Sequence, residues 1–135
     1  MRALIDGNIL LDVLQNREPH IGASSKIWKL CEIDQVEGFV SALTFADLVY
    51  VMRKELTPDI IDEVLKKLAL IFHFTELSVA DLTNAAEMKW SDYEDAVQSA
   101  TAKRVHADCI VTRNIKDYLQ STVPAFTPAE FLERI

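Results

Sequence analysis

Short uninterrupted apolar runs alternate along this chain with longer stretches in which apolar residues recur at helical spacing. "RALI" is the first run and ends at the turn-like Asp6-Gly7-Asn8, after which Ile9, Leu10, Val13 and Leu14 fall at helical intervals. A strand, a turn and a helix are predicted. Pro19 opens a second helix carrying Ile21, Ile27, Trp28, Leu30 and Cys31, and "EGFVSAL" follows with the glycine boundary and β-branched content of a buried strand. Thr44 reads as the N-cap of a third helix that starts at Phe45 and carries Leu48, Val49 and Met52 on one side. Thr57 with Pro58 opens a fourth, "TPDIIDEVLKKLAL", and "IFHFTEL" reads as the next strand.

Ser78 and Asp81 have capping-box spacing for a helix through about Lys89, and Ser91 with Glu94 repeats the signal for the helix of "SDYEDAVQSATA". In that helix Tyr93, Ala96, Val97 and Ala100 mark the packed face. "ADCIVTRN" is a clear strand end. A helical turn from Ile115 to Leu119, a brief strand at Ala125-Phe126 and a last helix capped by Thr127, Pro128 and Glu130 complete the chain. Strands that alternate with helices, with few hairpin signals, predict an α/β fold with a mostly parallel sheet and helices on both faces. The 135 residues have the size of one domain, spanning 1–135, and no stretch reads as a linker.

Ligands of such sheets bind beyond the carboxyl ends of the strands, so the polar residues placed there are the candidates. Asp6 follows the first strand; Asp47 and Asp95 are expected in first turns of helices; Asn114 and Asp117 follow "CIVTR". Any one acid in a first turn is also explained by the positive end of the helix dipole. Together, several carboxylates converging at one edge repel each other and must take up protons or hold a cation. Oxygen-only donors suit a hard ion, Mg²⁺ or Mn²⁺, whereas zinc wants His and Cys ligands. Such an ion activates water toward a phosphodiester, the reaction of a nuclease. Within "SDYED", Glu94 completes the capping box, so Asp95 is the preferred site acid, ahead of Asp92.

Charge and composition narrow the picture. The formal net charge is −7, which is a poor match to a long basic groove, but the four candidate acids make up more than half of it. A small footprint on RNA remains compatible, with Arg113 and Lys116 at the mouth as phosphate contacts. Cys31 and Cys109 lie far apart with no metal-ligand spacing and are expected as buried thiols. No apolar stretch reads as a signal peptide or membrane span, so a cytoplasmic protein is expected. A haloacid-dehalogenase-like site needs an acid where Asn8 stands, a receiver domain needs one after "IFHFTEL", and no Gly-rich phosphate loop occurs.

"LIDGNILLDVL", "SALTFADLVYVMRK", "SDYEDAVQSATA" and "ADCIVTRNIKDY…FTPAEFL" occur in an order and spacing that resembles the PIN-domain proteins over nearly the whole chain, with Thr57 to Lys89 matching in pattern more than identity. The resemblance implies a three-layer α/β/α sandwich and a Mg²⁺- or Mn²⁺-dependent ribonuclease acting on RNA, similar to the VapC-type toxins, with an antitoxin as a possible partner. It implies that Asp6 and Asp95 are direct metal ligands and that Asp47 stands where the family usually has glutamate. It implies that Asn8 and Thr112 line the pocket. The position after "VTR", often aspartate in the family, is Asn114 here; the site then runs on three acids, or on Asp117 as replacement, with Asn114 offering an amide oxygen to the metal. The alternative expectation is a PIN fold that has lost catalysis and binds RNA or protein. A homodimer through the helices of "SSKIWKLCEI" and "DEVLKKLALIF" is a further expectation.

Overall fold

The computed structural model describes all 135 residues, Met1 to Ile135. Its five strands are β1 (Arg2–Ile5), β2 (Glu37–Ser41), β3 (His73–Thr75), β4 (Cys109–Val111) and β5 (Ala125–Phe126). They form one sheet in the order β3-β2-β1-β4-β5, with every pair parallel. β1 lies at the centre, with Leu4 in register with Phe39 on one side and Ile110 on the other. Seven helices accompany the strands: α1 (Gly7–Leu14), α2 (Ile21–Glu32), α3 (Ala42–Met52), α4 (Pro58–Ile71), α5 (Val79–Met88), α6 (Tyr93–Arg104) and α7 (Pro128–Arg134), with a 3-10 turn at Ile115–Tyr118.

Alternation along the strands separates the two faces. Ala3, Ile5, Val40, Cys109 and Val111 join Ile9, Leu10, Ile27, Leu48, Leu68 and Phe131 in the larger core beneath α1, α2, α3, α4 and α7. Leu4 and Ile110 point the other way, onto Ala102, Tyr118 and Val123. Helix α6 is buried without a break from Ala96 to Ala102, because the sheet covers one side and α5 the other through Ala85, Ala96 and Val97. Of the face read from the sequence, Ala96, Val97 and Ala100 are buried and Tyr93 is exposed, and burial all round the helix goes beyond any single stripe. Both cysteines are free and buried. The apolar stripes of α2 and α4 supply Ile27, Cys31, Ile61 and Leu68 to the chain's own core.

Three boundaries differ from the sequence-based expectation, each for a local polar reason. No turn separates the first strand from its helix, because Asp6 itself caps α1, its Oδ1 accepting from Gly7 N–H at 2.7 Å. Ser41, not Thr44, caps α3: its hydroxyl oxygen accepts from Thr44 N–H at 3.1 Å, so the helix starts at Ala42 and Asp47 lies in the second turn. Asp92, not Ser91, caps α6 by accepting from Asp95 N–H at 3.1 Å, and Glu94 is released from the expected capping box. The boxes at Ser78 and Asp81 and at Thr127 and Glu130 form as expected. "IFHFTEL" contributes only His73–Thr75, since α4 runs on to Ile71.

Gly38 on β2 is a contact position. A Cβ there would stand 2.7 Å from Cys31 Sγ and 2.9 Å from Phe72 Cδ1, closer than any real packing distance. Gly38→Ala is therefore expected to cost about 2 kcal/mol through forced displacement of α2 from the sheet. Urea unfolding measures it, and an unchanged midpoint would contradict it.

Candidate active site at the carboxyl edge of the sheet

Asp6 leaves the central strand directly into α1, so its carboxylate stands at the carboxyl edge of the sheet where the chain goes one way to β2 and the other to β4. Its Oδ2 accepts from the Thr112 hydroxyl at 2.8 Å and more weakly from Asn8 Nδ2 at 3.4 Å. Thr112 is fully buried and also accepts Asn114 N–H at 3.1 Å, which ties the loop after β4 to the acid. Burial raises the Asp6 pKa above the usual carboxylate range; the Thr112 and Gly7 hydrogen bonds and the Arg113 charge oppose that, and Asp117 adds to it.

Asp6, Asn8, Asp47, Glu94 and Asp95 line one cleft of about 190 Å³, floored by Thr44 and Gln98. Gln98 is held in place at both ends of its amide: Oε1 accepts from the Ser41 hydroxyl at 2.6 Å and Nε2 donates to Thr44 Oγ1 at 2.8 Å. Asp95 accepts from the Tyr118 hydroxyl at 3.1 Å. Its pKa is pushed up to about 6, by burial first and then by Asp92, with Asp6 and Asp117 adding to the rise and Tyr118 opposing it. Glu94 is raised as well, by burial and then by Asp47, Asp92 and Asp6. Raised values on several acids that face each other mark a cleft short of positive charge.

Asp117 stands in an adjoining cleft of about 250 Å³ with Trp90, Asp92 and Lys116. It acts on Asp6 and Asp95 through its charge. Asn114 lies at the start of the 3-10 turn, exposed, with no capping bond from its side chain. Arg113, expected at the mouth, is directed elsewhere: its Nε donates to Asp12 Oδ2 at 3.0 Å, and its backbone N–H reaches Asn8 Oδ1 at 3.4 Å. Asp12 is fully buried and also accepts from the Ser24 hydroxyl at 2.9 Å.

The structure thus brings Asp6, Asp47, Asp95 and Asn8 together, sets Asp117 and Lys116 beside them, and places Thr112 behind Asp6. Sequence reasoning missed Glu94, Tyr118, Gln98, Ser41 and Asp12. Glu94 reads as a cap residue in sequence because Ser91-x-x-Glu94 and Asp92-x-x-Asp95 carry equally good start signals. For Tyr118 and Gln98 no local signal exists, since their partners lie on other elements.

The donor set is oxygen only, carboxylate-rich and under mutual repulsion, which fits a hard divalent ion and does not fit zinc. No three of the His, Cys, Asp and Glu side chains form a ready-made metal cage. If the repulsion is as described, the protein in chelator loses stability as pH rises. The folded pKa of Asp95, about 6, exceeds its ordinary value of 3.8, so the folded state holds the proton more tightly and its advantage disappears between those values. Discounted for partial exposure, the loss is about 1 kcal/mol. Thermal melting in chelator should accordingly give a lower Tm near pH 7.5 than near pH 5, and Mn²⁺ should recover the difference. A Tm that is higher near pH 7.5 in chelator would contradict the repulsion.

Comparison with curated proteins gives no match. Among solved structures, VapBC-1 from nontypeable Haemophilus influenzae superposes with a TM-score of 0.72 at 15% identity, covering 96% of this chain and 99% of that one. A toxin–antitoxin complex from Klebsiella pneumoniae gives 0.69 at 20% identity, with 93% and 97% covered. VapC20 from Mycobacterium tuberculosis, described as a sarcin–ricin loop cleaving toxin, gives 0.64 at 10% identity, with 80% and 86% covered. At these identities the likeness is one of fold. The sequence model of the PIN domain matches residues 2–116, from the first strand through the loop that holds Asn114, and by that match the chain belongs to the PIN-domain family.

Proposed function

We propose that this protein is a Mg²⁺- or Mn²⁺-dependent endoribonuclease that hydrolyses RNA phosphodiester bonds, and that it is the toxin of a toxin–antitoxin pair. The observation that carries the nuclease reading is the convergence of Asp6, Asp47, Glu94 and Asp95 in one cleft at the carboxyl edge of the sheet. Membership of the PIN family and the shared fold with VapBC toxins support it. Asp6 and Asp95 would hold the ion, with Asp47 and Glu94 contributing directly or through water. When bound, the ion supplies the positive charge that attracts the phosphodiester and acidifies water.

The protein groups have separable tasks. Thr112 and Gly7 N–H fix Asp6 at the edge of the strand. Glu94, raised above the ordinary carboxylate range by burial and the neighbouring acids, is suited to accept the proton of the attacking water. Lys116, which lines the neighbouring cleft, would meet a phosphate of the substrate. Asp117, from the adjoining cleft, would supply the negative charge that the family often has at the position of Asn114, while the Asn114 amide is free to orient water or lend its oxygen to the ion. An antitoxin partner, a homodimer and a cytoplasmic location follow from the toxin reading; no helix is long and apolar enough to cross a membrane.

Asn114 also motivates a second reading, a PIN fold without catalysis that binds RNA or protein. Cleavage of labelled single-stranded and hairpin RNAs by the purified protein, with Mn²⁺, with Mg²⁺ and with chelator, separates the two. Metal-dependent cutting is the expected result. RNA bound equally with and without metal, and never cut, would overturn the nuclease.

A further inference from the structure

The two acids assigned to the ion are held very differently. Asp6 is fixed by Gly7 N–H, the Thr112 hydroxyl and Asn8 Nδ2. The Asp95 carboxylate has one hydrogen-bond partner, the Tyr118 hydroxyl at 3.1 Å. Tyr118 comes from the 3-10 turn after β4 and is itself buried, its ring packed with Leu4, Ala102, Ile110 and Val123 and edge-on to Trp90. Its hydroxyl meets Asp95, one of the acids that line the cleft. Asp92, Asp6 and Asp117 all repel Asp95, and an unrestrained carboxylate in that field would turn toward solvent.

We propose that Tyr118 is a positioning residue for the metal site: its hydroxyl, presented from a rigid apolar socket, holds the Asp95 carboxylate facing Asp6 across the cleft. This rests on the metal-dependent reading of the cleft and assigns the group that keeps one of its ligands in place. Carboxylate ligands are commonly oriented by such outer hydrogen bonds, and losing one weakens metal affinity about 10- to 100-fold. The turn that carries Tyr118 also carries Lys116 and Asp117, so docking of one ring sets the whole segment beside the acids.

Tyr118→Phe keeps the ring and removes only the hydroxyl. Mn²⁺ titration of the full chain is expected to show about 10-fold weaker binding in Tyr118→Phe. The Tm in chelator should stay near that of the wild type, and kcat for RNA should fall with KM little changed. In an Asp95→Asn background, adding Tyr118→Phe is expected to change Mn²⁺ affinity no further. Wild-type affinity in Tyr118→Phe, or an equal loss in both backgrounds, would overturn the proposal. Should the wild type bind no Mn²⁺, the metal reading itself fails. Crystal structures of the chelator-treated wild type and Tyr118→Phe then decide the positioning alone, by whether Asp95 keeps one rotamer in the first and turns to solvent in the second.

Discussion

Asp6→Asn is expected to abolish metal-dependent RNA cleavage, lowering kcat/KM by about 10³-fold or more, equivalent to about 4 kcal/mol of lost transition-state stabilisation. Asparagine preserves the shape of the side chain, and its oxygen still accepts from Gly7 N–H in the cap of α1. Its amide nitrogen then faces Thr112 Oγ1, a hydroxyl that rotates to accept. The fold is therefore retained. What disappears is the negative charge at the centre of the cleft, and with it the attraction for a divalent ion. Because burial and Asp117 already oppose ionisation of Asp6, neutralising it should leave the Tm in chelator unchanged or raise it. Gel-based cleavage beside thermal melting checks both halves. Retention of wild-type cutting, or loss of activity accompanied by a collapsed Tm, would contradict the assignment.

The second large effect concerns Arg113, and it is an effect on stability. Asp12 is fully buried; Arg113 and Ser24 are its partners, both on Oδ2, while Oδ1 has no hydrogen-bond partner. Arg113→Ala leaves that carboxylate in the interior without its counter-charge, and breaking a buried pair from one side costs about 3 kcal/mol. If Arg113 acted solely as an RNA contact at the mouth, its removal would raise KM and leave unfolding untouched. Urea denaturation distinguishes these outcomes. Replacing the pair together, as Asp12→Leu with Arg113→Met, should recover much of the loss, because two well-packed apolar side chains carry no desolvation penalty. A destabilisation of the double variant equal to that of Arg113→Ala would count against the charge argument.

Much of this architecture was legible because the signals are local. The helix starts at Thr57, Ser78 and Thr127 depend on a cap side chain and a residue or two beyond it, and all three form as the spacing predicts. Asp6 at the end of a buried run stands at the sheet edge because a parallel sheet puts strand ends there. Where two local signals compete, spacing alone does not choose. Ser41 and Thr44, or Ser91 and Asp92, are equally acceptable caps by spacing; at the first pair both hydroxyls also meet Gln98 from across the molecule, Thr44 accepting from its amide and Ser41 donating to it.

The chain's own sequence determined the alternation of strands and helices, hence a parallel sheet, and the set of acids that such a sheet delivers to one edge. Tertiary structure alone decided that Glu94 joins them and that Asp117 acts from an adjoining cleft. It decided that Arg113 turns inward to a buried Asp12, and that a tyrosine ring packed under α6 offers its hydroxyl to Asp95. The physical reason is range. Capping and periodicity act over one or two turns of chain and are written in neighbouring letters. Burial, repulsion between carboxylates and side-chain hydrogen bonds depend on separations in space, between residues that lie as far apart as Arg113 and Asp12, and these exist only once the fold has closed.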